Sequence, residues 1–367
     1  VILSAGPFFF LFDSGYSTAM PIEQSLFGTL RDGRPVNKYS LTGGAGGGGM
    51  IVDVINFGGH IQRWRAPDRG GKLGDITLGF ERLEQYVGAN PFFGTTVGRY
   101  ANRIARGRFT LDGVEYQLPI NNGRNTLHGG PGGFHTKLWN AALIGDNGND
   151  ALKLTYTSPA GEEGFPATLF AEVTFAVTPD NTLRITFHAT SDGPTVVNLT
   201  NHAYFDLAGP GSGKTLDHTL QMWADEYADI DAELVPTGKI RSVKDSPLDF
   251  TTVHVIGSRI GQLAGGYDNA YLVRGGGAGA LVRAARLHHP LSGRTLEAWT
   301  TQPSVQLYTG GNLDGTVAGI GGAYHRFAGI CLETQHLPDA PNHPNFQSTV
   351  LRPGQTYQHV TEYRLSN

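Results

Sequence analysis

Cysteine is nearly absent from this chain: 367 residues hold one, Cys331. No internal disulfide can form, and no metal centre can be built on several thiolates. The setting of Cys331, Gly329-Ile330-Cys331-Leu332, is apolar, which suits a small core hydrophobe rather than a nucleophile. Charge is scarce as well, at 16% of residues against about 25% in ordinary domains. A formal net charge of −4 leaves no basic footprint for nucleic acid. So sparse a charge suits neutral, polar ligands better than polyanions. Long apolar runs are missing too. Val1-Ile2-Leu3 and the run from Phe8 to Phe12 are split by Gly6-Pro7 and are far too short to cross a bilayer. No basic residue precedes them, so the charged start of a signal peptide is lacking. Residues 1–25 are expected to be a tail, a leader or a vector-derived segment, and residues 26–367 the folded domain. The lone cysteine fits a reducing, cytoplasmic compartment. The apolar N-terminal segment leaves a secreted or periplasmic one open.

Metal and dinucleotide signatures are also wanting. The 13 histidines show neither H-x-x-x-H nor H-E-x-x-H spacing, so no catalytic metal is expected. Gly275-Gly-Gly-Ala-Gly-Ala280 matches G-x-G-x-x-A, but a dinucleotide site needs a helix after it. Here His288-His289-Pro290 would end any helix within about two turns. The segment reads instead as a hairpin loop.

Glycine is what the chain has in excess: 52 residues, about twice the usual share of ~7%. With 14 Tyr and 19 Phe it suits many strands and tight turns, not a helical bundle. Apolar residues recur at period two. Phe109–Tyr116 reads as a hairpin turning at Asp112-Gly113, because a type I′ turn needs positive φ at both central residues. Leu169–Val177 and Leu183–Phe187 alternate on either side of Pro179-Asp180-Asn181, a second hairpin. Further strands are expected at Met50–Ile55, Ala151–Tyr156, Thr295–Thr300, Val305–Thr309, Gly329–Thr334 and Tyr357–Tyr363. Short helices are expected at Phe80–Val87 and Ile256–Leu263. Gly43–Gly49 reads as a flexible loop before a strand. The whole is all-β, a sandwich or barrel.

Four segments carry polar residues with chemical potential. Read as one strand, Val197–Leu207 puts Val197, Leu199, Ala203, Phe205 and Leu207 on one face, which Asn201 interrupts. Asn198, Thr200, His202, Tyr204 and Asp206 then share a polar face suited to a hydroxylated ligand. Pattern alone equally allows a solvated face with His202 incidental. Glu333 ends an otherwise apolar strand; partial desolvation there raises a carboxyl pKa and makes it a usable base. A salt-bridged structural glutamate fits the pattern as well. The arginines Arg99, Arg103, Arg106 and Arg108 read on pattern as a charged surface strand. His128, before Gly129-Gly130, reads as a turn histidine.

Six stretches in order resemble the aldose 1-epimerase (galactose mutarotase) family, over about Phe27 to Arg364. They are Gly98–Gly107 (GRYANRIARG), Asn125–Gly130 (NTLHGG), Gly161–Pro166 (GEEGFP), Asn198–Phe205 (NLTNHAYF), Gly266–Asp268 (GYD) and Leu332–Asp339 (LETQHLPD). The resemblance implies one large β-sandwich, a galactose mutarotase-like supersandwich with few short helices and an open carbohydrate-binding face. It implies Glu333 as general base and His202 as general acid. His128 matches a second active-site histidine, and Asn102, Arg103, Asp268 and Gln306 match sugar-binding positions. Tyr204 and Phe346 would line the pocket. No cofactor is implied. The expected partner is a small aldose, bound by a monomer or homodimer. Three positions depart from many relatives, Phe134-His135, Ala167 and Asn269, and they leave the choice of sugar open. A hexose-6-phosphate epimerase would need cations at the phosphate, which Arg106 or Arg108 would have to supply. A lectin-like protein would be expected to have lost Glu333 or His202.

Overall fold

A computed structural model describes residues 22–44, 49–88, 91–146, 149–213 and 215–367. Three antiparallel sheets dominate it. The first is a sequential meander of five strands, from Glu23–Thr29 to Leu73–Asp75. The second has nine strands; its middle runs Leu169–Val177, Thr182–Ser191, Tyr357–Ser366, Thr295–Thr300 and Val282–His288. The third has six, in the order Tyr204–Phe205, Ile330–Gln335, Ser304–Tyr308, Asp268–Leu272, Glu226–Ile230 and Pro236–Ser242. One hydrophobic core joins all three: Leu41, Val52 and Trp64 from the first, Val173, Phe175 and Phe187 from the second, and Val305, Leu307 and Leu332 from the third.

Both expected hairpins form. Leu111 pairs with Val114, with φ of 51° at Asp112 and 81° at Gly113, as a type I′ turn demands. Val177 pairs with Leu183. The one α-helix among the described residues, Leu83–Val87, lies within the expected Phe80–Val87, and Ile256–Leu263 breaks into two 3-10 turns. Of the glycine run before Ile51, residues 45–48 lie outside the described residues.

Two expectations need correction. Gly275–Ala280 is not a hairpin loop. It leaves Asp268–Leu272 in the six-stranded sheet and enters Val282–His288 in the nine-stranded one, so it crosses between layers. Nor is Val197–Leu207 one strand. Its pieces find different partners: Thr200-Asn201 pairs with Thr96-Val97, and Tyr204-Phe205 with Cys331-Ile330. His202 sits where the segment changes partner. Both faces of the segment are buried, so the polar one does not look at solvent.

Period two on the six-stranded sheet is what builds the site. Ile330 and Leu332 enter the core, so Glu333 between Leu332 and Thr334 points the other way. The same holds for Gln306 between Val305 and Leu307. Gln306 and Glu333 are direct cross-strand partners, and so are Asp268 and Tyr308. Asn198 holds the far end of the Glu333 strand. Its Oδ1 accepts from the His336 N–H at 2.9 Å and its Nδ2 donates to the His336 carbonyl at 3.2 Å. Asn198→Ala should lower unfolding free energy by about 2–4 kcal/mol, since each orphaned buried polar group costs ~1–3 kcal/mol. Urea denaturation checks this.

Candidate active site

Strand, bridge and turn meet at one cavity of about 420 Å³. Asn102, Arg103, His128, His202, Tyr204, Asp268 and Glu333 line it. Gln306 joins through its neighbour: its Nε2 donates to Asp268 Oδ1 at 2.6 Å, while its Oε1 has no partner. Phe346 does not belong. It packs with Ala228, Ala270, Leu337 and Ala340 in a separate cluster.

At the floor, His202 Nε2 stands 3.6 Å from Glu333 Oε1. That is too long for a hydrogen bond and close enough for both to reach one substrate carbon's substituents. Both side chains are almost fully buried, and Glu333 Oε2 and His202 Nδ1 have no partner. Burial pushes the Glu333 carboxyl well up; Asp268 adds to the rise and Arg103 opposes it. Burial pushes His202 down to about 3. Burial thus displaces both groups toward their uncharged forms.

His128 is positioned by a reciprocal pair. Its backbone N–H donates to the Asn102 carbonyl at 3.0 Å, and the Asn102 backbone N–H donates to its ring Nδ1 at 3.1 Å. The neutral ring must then carry its proton on Nε2, so its free nitrogen is a donor. Burial holds His128 uncharged, and the nearby His202 and Arg103 act the same way. His128, His202 and Glu333 each bring a ligand-type atom within 4.8 Å of the other two, the spacing of a metal site. The Asn102 hydrogen bond commits His128 to donation, so only two of the three keep a lone pair for a metal.

The charged surface-strand reading holds for exposed Arg106 and for Arg108, which opens a strand, and not for Arg99 and Arg103. Arg103 is buried, and its Nε donates to Asn122 Oδ1 at 3.1 Å. Arg99 is buried too, donating to Ser158 Oγ and to the carbonyls of Ser158, Pro159, Pro166 and Ala167. Arg106 and Arg108 lie at a different surface depression, with Glu233 and Asp339. Among residues the sequence reading passed over, Tyr308, Asn122 and Phe92 line the cavity. Tyr308 was within reach of period two, because it shares a face with Gln306. Asn122 and Phe92 sit on loops, where no period marks them.

The family model for aldose 1-epimerase matches residues 39–364. The chain belongs to the aldose 1-epimerase family. Galactose mutarotase of Bos taurus is 41% identical over 348 residues, covering 94% of this chain and 98% of that protein. Aldose 1-epimerase of Escherichia coli (strain K12) is 36% identical over 340 residues, covering 91% and 96%. Among solved structures, the GalM/aldose epimerase homologue from C. elegans superposes with a TM-score of 0.79 at 30% identity, covering 87% of this chain and 96% of that one. An aldose 1-epimerase interconverts sugar anomers. No helix among the described residues is long and apolar enough to cross a membrane.

Proposed function

We propose that this epimerase equilibrates the α and β anomers of free aldohexoses, galactose and glucose, with Glu333 as base and His202 as acid. The observation that carries the reading is the buried pair, 3.6 Å apart on the cavity floor.

Changing anomer requires the ring to open. The C1 hydroxyl loses a proton as the ring oxygen gains one. Either step alone builds charge, which a buried site penalises. A base at one oxygen and an acid at the other avoid it, each contributing ~10²–10⁴-fold. Before sugar binds, burial favours the uncharged form of both groups, with the proton on Glu333. Sugar binding moves that proton to His202: the C1 hydroxyl donates to the carboxylate, and the Arg103 charge favours the same form. His202 then protonates the ring oxygen while Glu333 takes the hydroxyl proton. The open aldehyde turns about C1–C2, and closure on its other face returns both protons. Each group ends as it began, without a covalent intermediate. Arg103 and the His128 Nε2–H donate to sugar oxygens. Asp268 and the unpartnered Gln306 Oε1 accept from hydroxyls.

Charge at the cavity favours a free sugar over a sugar phosphate. Its lining holds one cation, Arg103, against the carboxyls of Asp268, Asp314 and Glu333. Polarimetry on freshly dissolved α-galactose and on a hexose 6-phosphate tests the reading. The expected result is enzyme-dependent equilibration of galactose at least about tenfold faster than of the phosphate, since an unpaired phosphate costs more than ~1.4 kcal/mol in such a site. A protein that accelerates only the phosphate, or neither, overturns it.

A further inference from the structure

Phe92 lines the cavity, yet neither the sugar contacts nor the proton transfer uses it. Its backbone φ is 66°, in the left-handed region that bulky residues avoid. Such strain persists where the surrounding structure imposes it, and it gathers at functional sites. Here the strained backbone aims the ring at histidines. Ring centroids lie 4.7 Å from His128 and 4.8 Å from His135, both edge-on. Against His202 the ring is nearly parallel, 14° off at 6.1 Å. Tyr204 stacks on the same imidazole at 4.9 Å and 9°. Phe92 itself is half-buried, while His202 and His128 are almost wholly so.

We propose that Phe92 is a positioning residue whose ring excludes water from His202 and His128 and so holds the His202–Glu333 pair to one shared proton. This rests on the reading of that pair as the proton-transfer groups. The pair has three protonation states. With one proton it is neutral overall; with two it carries a positive charge, and with none a negative one. Exclusion of water penalises both charged states, so the one-proton state spans a wide pH range. Burial displaces His202 and Glu333 in these two opposite directions. Other groups facing the pair pull against each other. Arg103 favours the Glu333 carboxylate and Asp268 opposes it. His128 is a neutral donor; His135 lies behind Phe92, and Tyr204 and Tyr308 are uncharged neighbours of His202.

Admitting water makes both charged states cheaper. The profile of kcat/KM against pH then narrows from both sides: its acid limb rises and its alkaline limb falls. Phe92→Ala and Phe92→Gly remove the ring, and glycine also relieves the positive φ, so that variant keeps the fold. Phe92→Leu retains most of the apolar cover. Polarimetry on α-galactose from about pH 2.5 to pH 10, corrected for spontaneous mutarotation, gives the profile of the free enzyme. The expected shift is about one pH unit or more on each limb for Ala and Gly, and much less for Leu. NMR titration of the His202 imidazole should show the same upward displacement. Limbs that coincide with wild type in both ring-deleted variants overturn the proposal, whatever happens to the rate. His202→Asn, measured alongside, separates the two failures. If it keeps the wild-type rate, the proton-transfer reading falls. If it is inactive while the Phe92 limbs stay put, only the role of Phe92 falls.

Discussion

Glu333→Gln is expected to slow anomer interconversion at least a hundredfold, about 2.7 kcal/mol of barrier, while making the protein more stable at neutral pH. The amide keeps the shape of the carboxyl and its place beside Gln306, so sugar binding should change little. It cannot take a proton from the C1 hydroxyl, so the loss falls on kcat. The stability gain follows from burial. The folded-state pKa of Glu333 is raised, so between the unfolded value near 4.5 and the folded value the folded chain keeps a proton that the unfolded chain has lost. Stability from this group is complete below the unfolded value and declines as pH rises toward the folded one. Gln removes that decline. Thermal melts of both proteins at pH 4 and pH 7.5 check it: the variant's advantage should appear at the higher pH and vanish at the lower. Opposite movements of rate and stability would mark Glu333 as a group held at a cost for chemistry.

His202→Asn is expected to cost a similar factor, at least about a hundredfold, for the complementary reason. Asn fills part of the imidazole volume and offers polar atoms, but it cannot deliver a proton to the ring oxygen. Arg103, His128 and Asp268 would still hold the sugar, so KM should move by far less than kcat. The fold should tolerate the change: the imidazole Nδ1 has no hydrogen-bond partner, and the backbone of the residue is held by Thr95 and Gly94. The pH dependence of stability should also lose a component. The pKa of His202 is depressed in the folded state, so its contribution is present above the unfolded value of 6.5 and fades as pH falls toward about 3. In the variant, acid destabilisation over that window should be shallower.

The alternation of Leu169–Val177 and Leu183–Phe187 announced their hairpin because each strand keeps one partner and buries one face. Glu333 stood out as the carboxylate closing an apolar run, although its strand continues to Gln335 and so holds it inside rather than at the mouth. Val197–Leu207 misled because a single strand was assumed. Its residues pair with two different elements in turn, and long-range pairing leaves no local period. The arginine segment misled in the opposite sense. Charged residues usually mark a solvated face, yet Arg99 and Arg103 are buried because carbonyls and Asn122 satisfy them, and those acceptors lie 19 to 68 residues away. Phe92 was invisible because its importance comes from backbone strain and from rings brought to it by three other segments. The downward displacement of His202 could not be read either. It depends on how completely water is excluded, which is a property of the assembled cavity.

Whether Glu333 and His202 act as one unit is the central claim, and a double-mutant cycle on anomer interconversion tests it most directly. Initial rates of optical rotation change would be compared for wild type, Glu333→Gln, His202→Asn and the combination. Groups that move protons in the same step fail together, so the double variant should be no slower than the worse single variant, within about threefold. Losses that multiply, or a single variant that keeps the wild-type rate, would contradict the shared role.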